Sequence, residues 1–121
     1  MTIQEVADKL VSLCKQGNFE AATKELYSPD IVSVEPSAPP GQSRESKGIA
    51  AVAAKGEWWV ANHEVHSSAV EGPLVANTHF AVKFKMDVTF KPKNQRFTME
   101  EIAVYKVVEG KIVYEEFFYA M

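Results

Sequence analysis

The residue with the clearest chemical potential is Glu101, which lies within an otherwise apolar strand pattern. If residues 91–94 form a loop, Phe84 pairs with Glu101 and Phe80 pairs with Tyr105. One face of this hairpin then surrounds a single carboxyl group with aromatic and aliphatic side chains. Such a carboxyl group has a raised pKa, or it needs a hydrogen-bond donor or a water-filled cavity. Glu101 is therefore a candidate general base, the alternative being a core glutamate bonded to a tyrosine or a backbone amide.

The last strand offers a second carboxyl group to the same face. A plain two-residue turn at 109–110 turns Glu116 inward, diagonal to Glu101, whereas a bulge at Gly110 turns Glu115 inward instead. Neighbouring carboxyl groups push each other's pKa values apart, which suits acid–base chemistry. We expect one inward glutamate from this pair and leave open which one it is. The predicted pocket lining comprises Trp59, Phe80, Phe84, Tyr114, Glu115, Glu116 and Phe118.

The histidines allow two interpretations each. His63 follows Trp59 by four residues, so it is either a helix-terminal histidine bonded to nearby carbonyls or an acid–base group of the pocket. His66 and His79 are expected to face each other across two strands. Two histidines without a third ligand do not make a metal site, and no metal is predicted.

The helices and strands that must position these residues follow from periodicity and turn residues. Apolar residues at helical spacing predict a helix from Thr2, capped with Glu5, to Gly17, and a second helix begins after Asn18. A short strand is expected at 31–35, then a Pro-rich loop. Ser46 is expected to cap a third helix that ends near Asn62, with a neighbouring element close to Gly56.

Period-two patterns then predict a four-stranded antiparallel meander, with turns at 71–73, 91–94 and 109–110. The fold class is therefore α+β, with helices gathered on one face of a curved sheet. Phe117, Phe118 and Tyr119 place aromatic side chains on both faces of the last strand. We expect the outer sheet face to pack against a second subunit, because so short a chain lacks helices to cover both faces.

Length and charge bound the remaining possibilities. The 121 residues suit a single domain over 1–121, and the net charge of −3 without a basic block disfavours nucleic acid. The one cysteine, Cys14, lies on an apolar helical stripe and is expected to be buried. Neither a secretory leader nor a membrane span is expected, so the predicted location is cytoplasmic. The sequence has no glycine-rich phosphate motif and no nucleophile elbow.

Four segments resemble the SnoaL-like domains of the nuclear transport factor 2-like superfamily: LYSPDIVSVEP, GEWWVANHEVHS, FKMDVTFKP and MEEIAVYKVVEGKIVYEEFFY. The resemblance implies a cone-shaped α+β barrel, usually a dimer, with a pocket between the third helix and the concave sheet. It also implies an acidic or histidine base in the cone, with no metal or organic cofactor. Asp87 falls on the outward face, so that acid would be Glu101 with Glu115 or Glu116.

Two functions follow as hypotheses. The first is an enzyme that isomerises, cyclises or dehydrates a small, largely apolar carbonyl compound, with Glu101 as base and Tyr105 or His63 as donor to the enolate. The second is a non-catalytic dimeric module that binds a small hydrophobic molecule.

Overall fold

Two short helices precede the first strand, and both begin where the sequence predicts. In this computed structural model, which describes residues 1–120, α1 spans Ile3–Lys15 and α2 spans Phe19–Leu26. Thr2 and Glu5 form a reciprocal capping box at the start of α1. The Asn18 side chain accepts from the backbone N–H of Ala21 and so caps α2.

The sheet contains six strands in the order β2-β1-β6-β5-β4-β3. The strands are β1 (Tyr27–Val34), β2 (Glu45–Lys47), β3 (His63–Val75), β4 (His79–Phe90), β5 (Gln95–Val108) and β6 (Lys111–Phe118). β1 and β6 pair in parallel, and the other neighbours are antiparallel. The sheet is curled but not closed, and its concave face receives the three helices, which confirms the predicted α+β cone.

The third helix, α3, spans Ile49–Asn62, but its start differs from the prediction. Ser46 lies in β2, and the helix begins after Gly48, whose φ of 88° favours glycine. Gly56 was expected beside a close neighbour. Instead, a Cβ added at Gly56 would meet no atom within 4 Å, because this position borders open space.

The predicted turn at 71–73 is also wrong. β3 continues through these residues, which form an irregularity in its pairing with β4 after Glu71. The strand therefore bends rather than ends at Gly72-Pro73, since proline and glycine interrupt a ladder without reversing it. The connection to β4 lies at residues 76–78 instead.

The hairpin registers decide which side chains face the helices. The β4–β5 register is as predicted, with Phe84 opposite Glu101 and Phe80 opposite Tyr105. In the β5–β6 hairpin the two-residue turn is correct, but a bulge follows it. Val107 pairs with Ile112 and Lys106 with Tyr114, which leaves Val113 as the extra residue. Every residue of β6 beyond the bulge is thereby shifted by one face.

Candidate functional site

A cavity of about 210 Å³ lies between the helices and the concave face of the sheet. Apolar and aromatic side chains form most of its wall, and α3 contributes Val52, Lys55, Gly56 and Trp59 from one side. Among residues 1–120, the lining side chains able to carry a full charge near neutral pH are three carboxyl groups and one lysine: Glu35, Glu101, Glu115 and Lys55. The cavity is thus an apolar chamber with a polar cluster in its wall, the usual composition of a small-molecule site.

Glu101 occupies the position that the β4–β5 register predicts. Its carboxyl group faces the cavity and has no hydrogen-bond or ion-pair partner among residues 1–120. Burial raises the pKa of Glu101 to about 7, and the nearby charges of Glu35 and Glu115 act in the same direction, whereas Lys55 opposes them. A carboxyl group with this pKa exchanges its proton readily at neutral pH, as a general acid–base group must.

Glu115 is the inward glutamate of the last strand. The bulge at Val113 places it opposite Tyr105 and beside Ser33, with only 3% of its surface exposed. The Tyr27 hydroxyl donates to one carboxylate oxygen, and the Ser33 hydroxyl donates to the other at 2.7 Å. Burial raises the pKa of Glu115, and these two hydrogen bonds partly offset that increase.

Lys55 joins the hydrogen bonds around Glu115 to Glu35, the residue that follows β1. Its ammonium group donates to Ser33 Oγ at 2.6 Å and forms an ion pair with Glu35 at 3.2 Å. The Tyr119 hydroxyl donates to the second Glu35 oxygen at 3.1 Å. A continuous chain of polar contacts therefore joins the buried Glu115 to the Lys55–Glu35 pair.

Tyr105 contributes a hydroxyl group at the cavity wall. Its ring stacks on Phe80 with centroids 4.8 Å apart, and its hydroxyl group has no hydrogen-bond partner among residues 1–120. Burial raises the pKa of Tyr105 well above its usual value, and the neighbouring Glu115 adds to this effect. The hydroxyl group therefore stays protonated and can donate a hydrogen bond into the cavity.

The structure separates the predicted site residues into two groups. Glu101, Tyr105, Glu115, Trp59 and Phe84 line the cavity. Phe80 is a core residue behind Tyr105 and does not reach the cavity. The prediction was wrong for Tyr114 and Phe118, because the bulge turns them to the other face of the sheet. Of the two glutamates between which the sequence left the choice open, Glu115 faces the cavity and Glu116 faces outward.

The outward residues of β6 form contacts of their own. The Tyr114 hydroxyl donates to Glu116 at 2.7 Å in a shallow polar depression beside Arg44 and Glu45. Phe118 lies half-exposed opposite Ile102. None of these contacts reaches the cavity.

The histidines lie outside the cavity as well. His63 Nδ1 donates to the Trp59 carbonyl oxygen at 2.8 Å and its ring stacks on Trp59 at 4.3 Å, as expected for a helix-terminal histidine. His66 and His79 do not face each other, because they lie at opposite ends of the β3–β4 pair. His66 instead contacts the Thr89 hydroxyl. Within residues 1–120 no group of three potential metal-binding side chains is found.

Cys14 and Asp87 lie where the sequence predicts. Cys14 is buried at the cavity wall, and burial raises the pKa of its thiol to about 12. Asp87 lies on the outer face, where the Arg96 guanidinium group binds both of its oxygens at 3.0 and 2.7 Å. That pairing lowers the pKa of Asp87.

Sequence reasoning missed most of the polar cluster around Lys55. The available signal was helical spacing, since Lys55 follows Val52 by three residues and precedes Trp59 by four, on the inward stripe. Glu35 follows a buried strand and alternates with Ser33, so it shares the inward face. Tyr27 and Tyr119 lie at the ends of strands, where period-two patterning has too few residues to assign a face.

Residues 1–119 match the family described as the SnoaL-like domain. The fold is similar to that of a candidate SnoaL-like polyketide cyclase (carbohydrate phosphatase) from Mesorhizobium loti, with 43% identity, a TM-score of 0.92, and 98% of this chain and 100% of that chain covered. No curated protein matches the sequence.

Two more distant solved structures share the fold alone. A candidate isomerase from Bacillus subtilis has 19% identity and a TM-score of 0.76 over 99% of this chain and 90% of that chain. A candidate polyketide cyclase from Pseudomonas putida has 18% identity and a TM-score of 0.73 over 100% of this chain and 93% of that chain. In the described residues, no helix is long and apolar enough to cross a membrane.

Proposed function

The chain belongs to the SnoaL-like domain family, and from that premise we propose that it catalyses cofactor-free proton transfer on a small apolar carbonyl compound. The reaction class is isomerisation, cyclisation or dehydration. One observation carries the proposal: the Glu101 carboxyl group faces an apolar cavity without a partner among residues 1–120, and its pKa is raised to about 7. A buried glutamate that served only the core would be expected to have a hydrogen-bond donor.

The proposed chemistry begins with Glu101 as a carboxylate. It removes a proton from the carbon next to the substrate carbonyl, the C–H electron pair forms the enolate double bond, and the carbonyl π pair moves to oxygen. Glu101 then holds the proton. Where a C=C bond adjoins the deprotonated carbon, Glu101 can return the proton to the far end of that bond; the electron pair on oxygen re-forms the carbonyl group, and the C=C bond moves into conjugation with it. Tyr105 donates a hydrogen bond that stabilises the developing oxyanion. His63, which lies outside the cavity, has no role in this step.

The test measures enolisation directly and needs no knowledge of the natural substrate. In D₂O, acetophenone, cyclohexanone and tetralone lose their α-proton NMR signals as the enolate forms and takes up deuterium. We expect the wild-type protein to accelerate this exchange for at least one of these ketones. Glu101→Gln removes the base and retains the shape of the side chain, so the rate should fall by roughly 100-fold or more.

The matched control is Glu100→Gln, which changes the neighbouring residue on the outer face. Glu100 contacts Lys83 at 3.5 Å in solvent, so this variant should exchange deuterium at the wild-type rate. Equal rates for wild type and Glu101→Gln would refute the assignment of the base. If the ketones raise the melting temperature but do not exchange, the protein is instead a non-catalytic binding module.

We propose in addition that the protein is a homodimer through the outer face of the sheet. Ile102 and Phe118 face each other across β5 and β6 on that side, and each exposes 50% of its surface. A second copy related by a two-fold axis would cover this apolar patch with the same patch of its own.

Analytical ultracentrifugation tests the dimer. Phe118→Asp should shift the protein to a monomer, because it places a charge in the centre of the apolar patch. Leu74→Asp is the control, since Leu74 is exposed on the edge strand β3, away from that patch. A wild-type monomer, or equal dissociation in both variants, would contradict this interface.

A further inference from the structure

The side chain of Lys55 lines the cavity, and the proposed proton transfer does not use its ammonium group. Within residues 1–120 it is the single cationic side chain that lines the cavity. An ammonium group has three N–H donors, and two of them have acceptors, Ser33 Oγ at 2.6 Å and Glu35 Oε1 at 3.2 Å. The third has no acceptor among residues 1–120, although 72% of the side chain's surface is covered, as its exposure of 28% shows.

The two acceptors that hold Lys55 are themselves fixed. Ser33 is fully buried and donates to Glu115, whose other oxygen accepts from Tyr27. Glu35 accepts from the Tyr119 hydroxyl on its second oxygen. Lys55 also lies 5.5 Å from the centre of the Phe117 ring. The ammonium group is thus held in place before any ligand arrives, which is the condition for electrostatic stabilisation of a developing charge.

A structural ion pair does not account for this arrangement. Lysine and glutamate form such pairs readily at the protein surface, as Lys9 and Glu25 do here at 2.8 Å with about half of each side chain exposed. Placing the cation at a cavity wall costs desolvation energy and gains little stability. A cation at this position can instead stabilise a ligand that develops negative charge inside the cavity.

The charges of the cavity residues support a role for Lys55 in binding a ligand that becomes negatively charged. In the resting state, Glu35 offsets Lys55, and burial together with the charge of Glu35 raises the pKa of both Glu101 and Glu115. When Glu101 takes a proton from a substrate carbon, one negative charge leaves Glu101 and appears on the substrate oxygen. The total charge of the cavity does not change, but the new anion needs a donor, and Lys55 has one N–H to offer.

We propose that Lys55 is the oxyanion-binding residue of this cavity, so that its ligands are small apolar enols and phenols that carry negative charge on one oxygen. The inference rests on the proposed function, because it names the group that would hold the enolate. Ser33 and Glu35 are positioning residues that hold the ammonium group toward the cavity. The Tyr105 hydroxyl group donates a second hydrogen bond to the oxyanion but carries no positive charge.

The test uses 4-nitrophenol, whose phenolate absorbs at longer wavelength than the neutral phenol. We expect the wild-type protein to bind it as the phenolate, seen as an increase of the phenolate band on titration with protein near neutral pH. Lys55→Met should weaken this binding by roughly 10- to 100-fold, the effect of losing a hydrogen bond to a charged group. Glu101→Gln should bind the phenolate more tightly than wild type, because it removes a like charge.

Two further variants keep the test decisive. Lys55→Met leaves Glu35 without its cation, so the double variant Lys55→Met with Glu35→Gln removes both charges and should show the same loss of binding with a restored fold. Lys83→Met is the matched control, since Lys83 pairs with Glu71 and Glu100 on the outer face and should not affect the phenolate.

The outcomes separate this inference from the proposed function. Unchanged phenolate binding in both Lys55 variants, or no binding to wild type at millimolar ligand, would overturn the role of Lys55. In that case, deuterium exchange that still depends on Glu101 would leave the proposed function intact. Phenolate binding that depends on Lys55, without exchange of any ketone, would support the oxyanion site and refute the proposed reaction. A ketone adduct on Lys55 that borohydride traps would also overturn the inference, because it would make Lys55 a nucleophile.

Discussion

Replacing Glu101 with glutamine should make the folded protein more stable, by an amount that depends on pH. Glutamine has nearly the same shape as glutamate but never carries a charge. The folded structure raises the pKa of Glu101 from 4.5 to about 7, chiefly because the carboxylate loses its hydration in the cavity. This difference corresponds to about 3 kcal/mol of unfavourable free energy for the charged form in the folded state.

The sign follows from proton binding. Between about pH 4.5 and about pH 7, the folded wild-type protein keeps the Glu101 proton while the unfolded chain has released it. The unfolding free energy of wild type therefore falls, relative to the glutamine variant, as the pH rises through this window. We expect no difference near about pH 4, and a gain approaching about 3 kcal/mol for Glu101→Gln near about pH 8.

Urea denaturation followed by the fluorescence of Trp58 and Trp59 measures this difference at each pH. Glu100→Gln is the control, because the exposed Glu100 contributes at most about 1 kcal/mol through its surface contacts and should give a small difference throughout. A gain for Glu101→Gln that is absent, or that is equal at about pH 4 and about pH 8, would refute the reasoning. It would mean that the Glu101 carboxylate is hydrated in the folded protein. The pKa of Glu101 would then lie near its usual value, too low for the proposed general base at neutral pH.

Three further predictions concern other parts of the cavity wall. Tyr27→Phe removes a donor from the buried Glu115, so denaturation should show a loss of about 1–3 kcal/mol and an NMR titration should show a still higher pKa for Glu115. Cys14, with a buried thiol and a pKa near 12, should not react with dithionitrobenzoate in the folded protein and should react fully in urea; rapid reaction without urea would contradict the burial. Gly56→Ala should stabilise the protein by about 1 kcal/mol, because alanine favours the helix and its methyl group meets no atom within 4 Å; a loss of stability would show that the cavity collapses there.

Much of the fold could be predicted from the sequence because its strongest patterns are local. The capping residue Thr2, the loop at 91–94 and the alternation along β4 and β5 each set the chain direction or a register, and all three are confirmed. The position of Glu101 inside the cone follows from that register alone. The inward position of Glu101 could thus be predicted before any tertiary contact was known.

The remainder of the site depends on features that one sequence does not display. The bulge at Val113 adds a single residue, and no turn residue marks it, so the choice between Glu115 and Glu116 stayed open. Lys55 interrupts an apolar stripe, where a charged residue normally indicates the solvent face of a helix. Helical spacing permits the inward position, and the contacts with Ser33 in β1 and with Glu35 just after β1 establish it.

The parallel pairing of β1 with β6 has a consequence for how the protein is made. β6 lies between β1 and β5, so β1 and β2 join the rest of the sheet only after β6 has paired with both neighbours. The contacts that hold Glu115, from Tyr27 and Ser33, span 88 and 82 residues of the chain. Contacts this distant in sequence slow the folding of small domains. During synthesis, β1 would therefore lack its parallel neighbour until β6 has left the ribosome, and the contacts that hold Glu115 in the cavity wall would form only then.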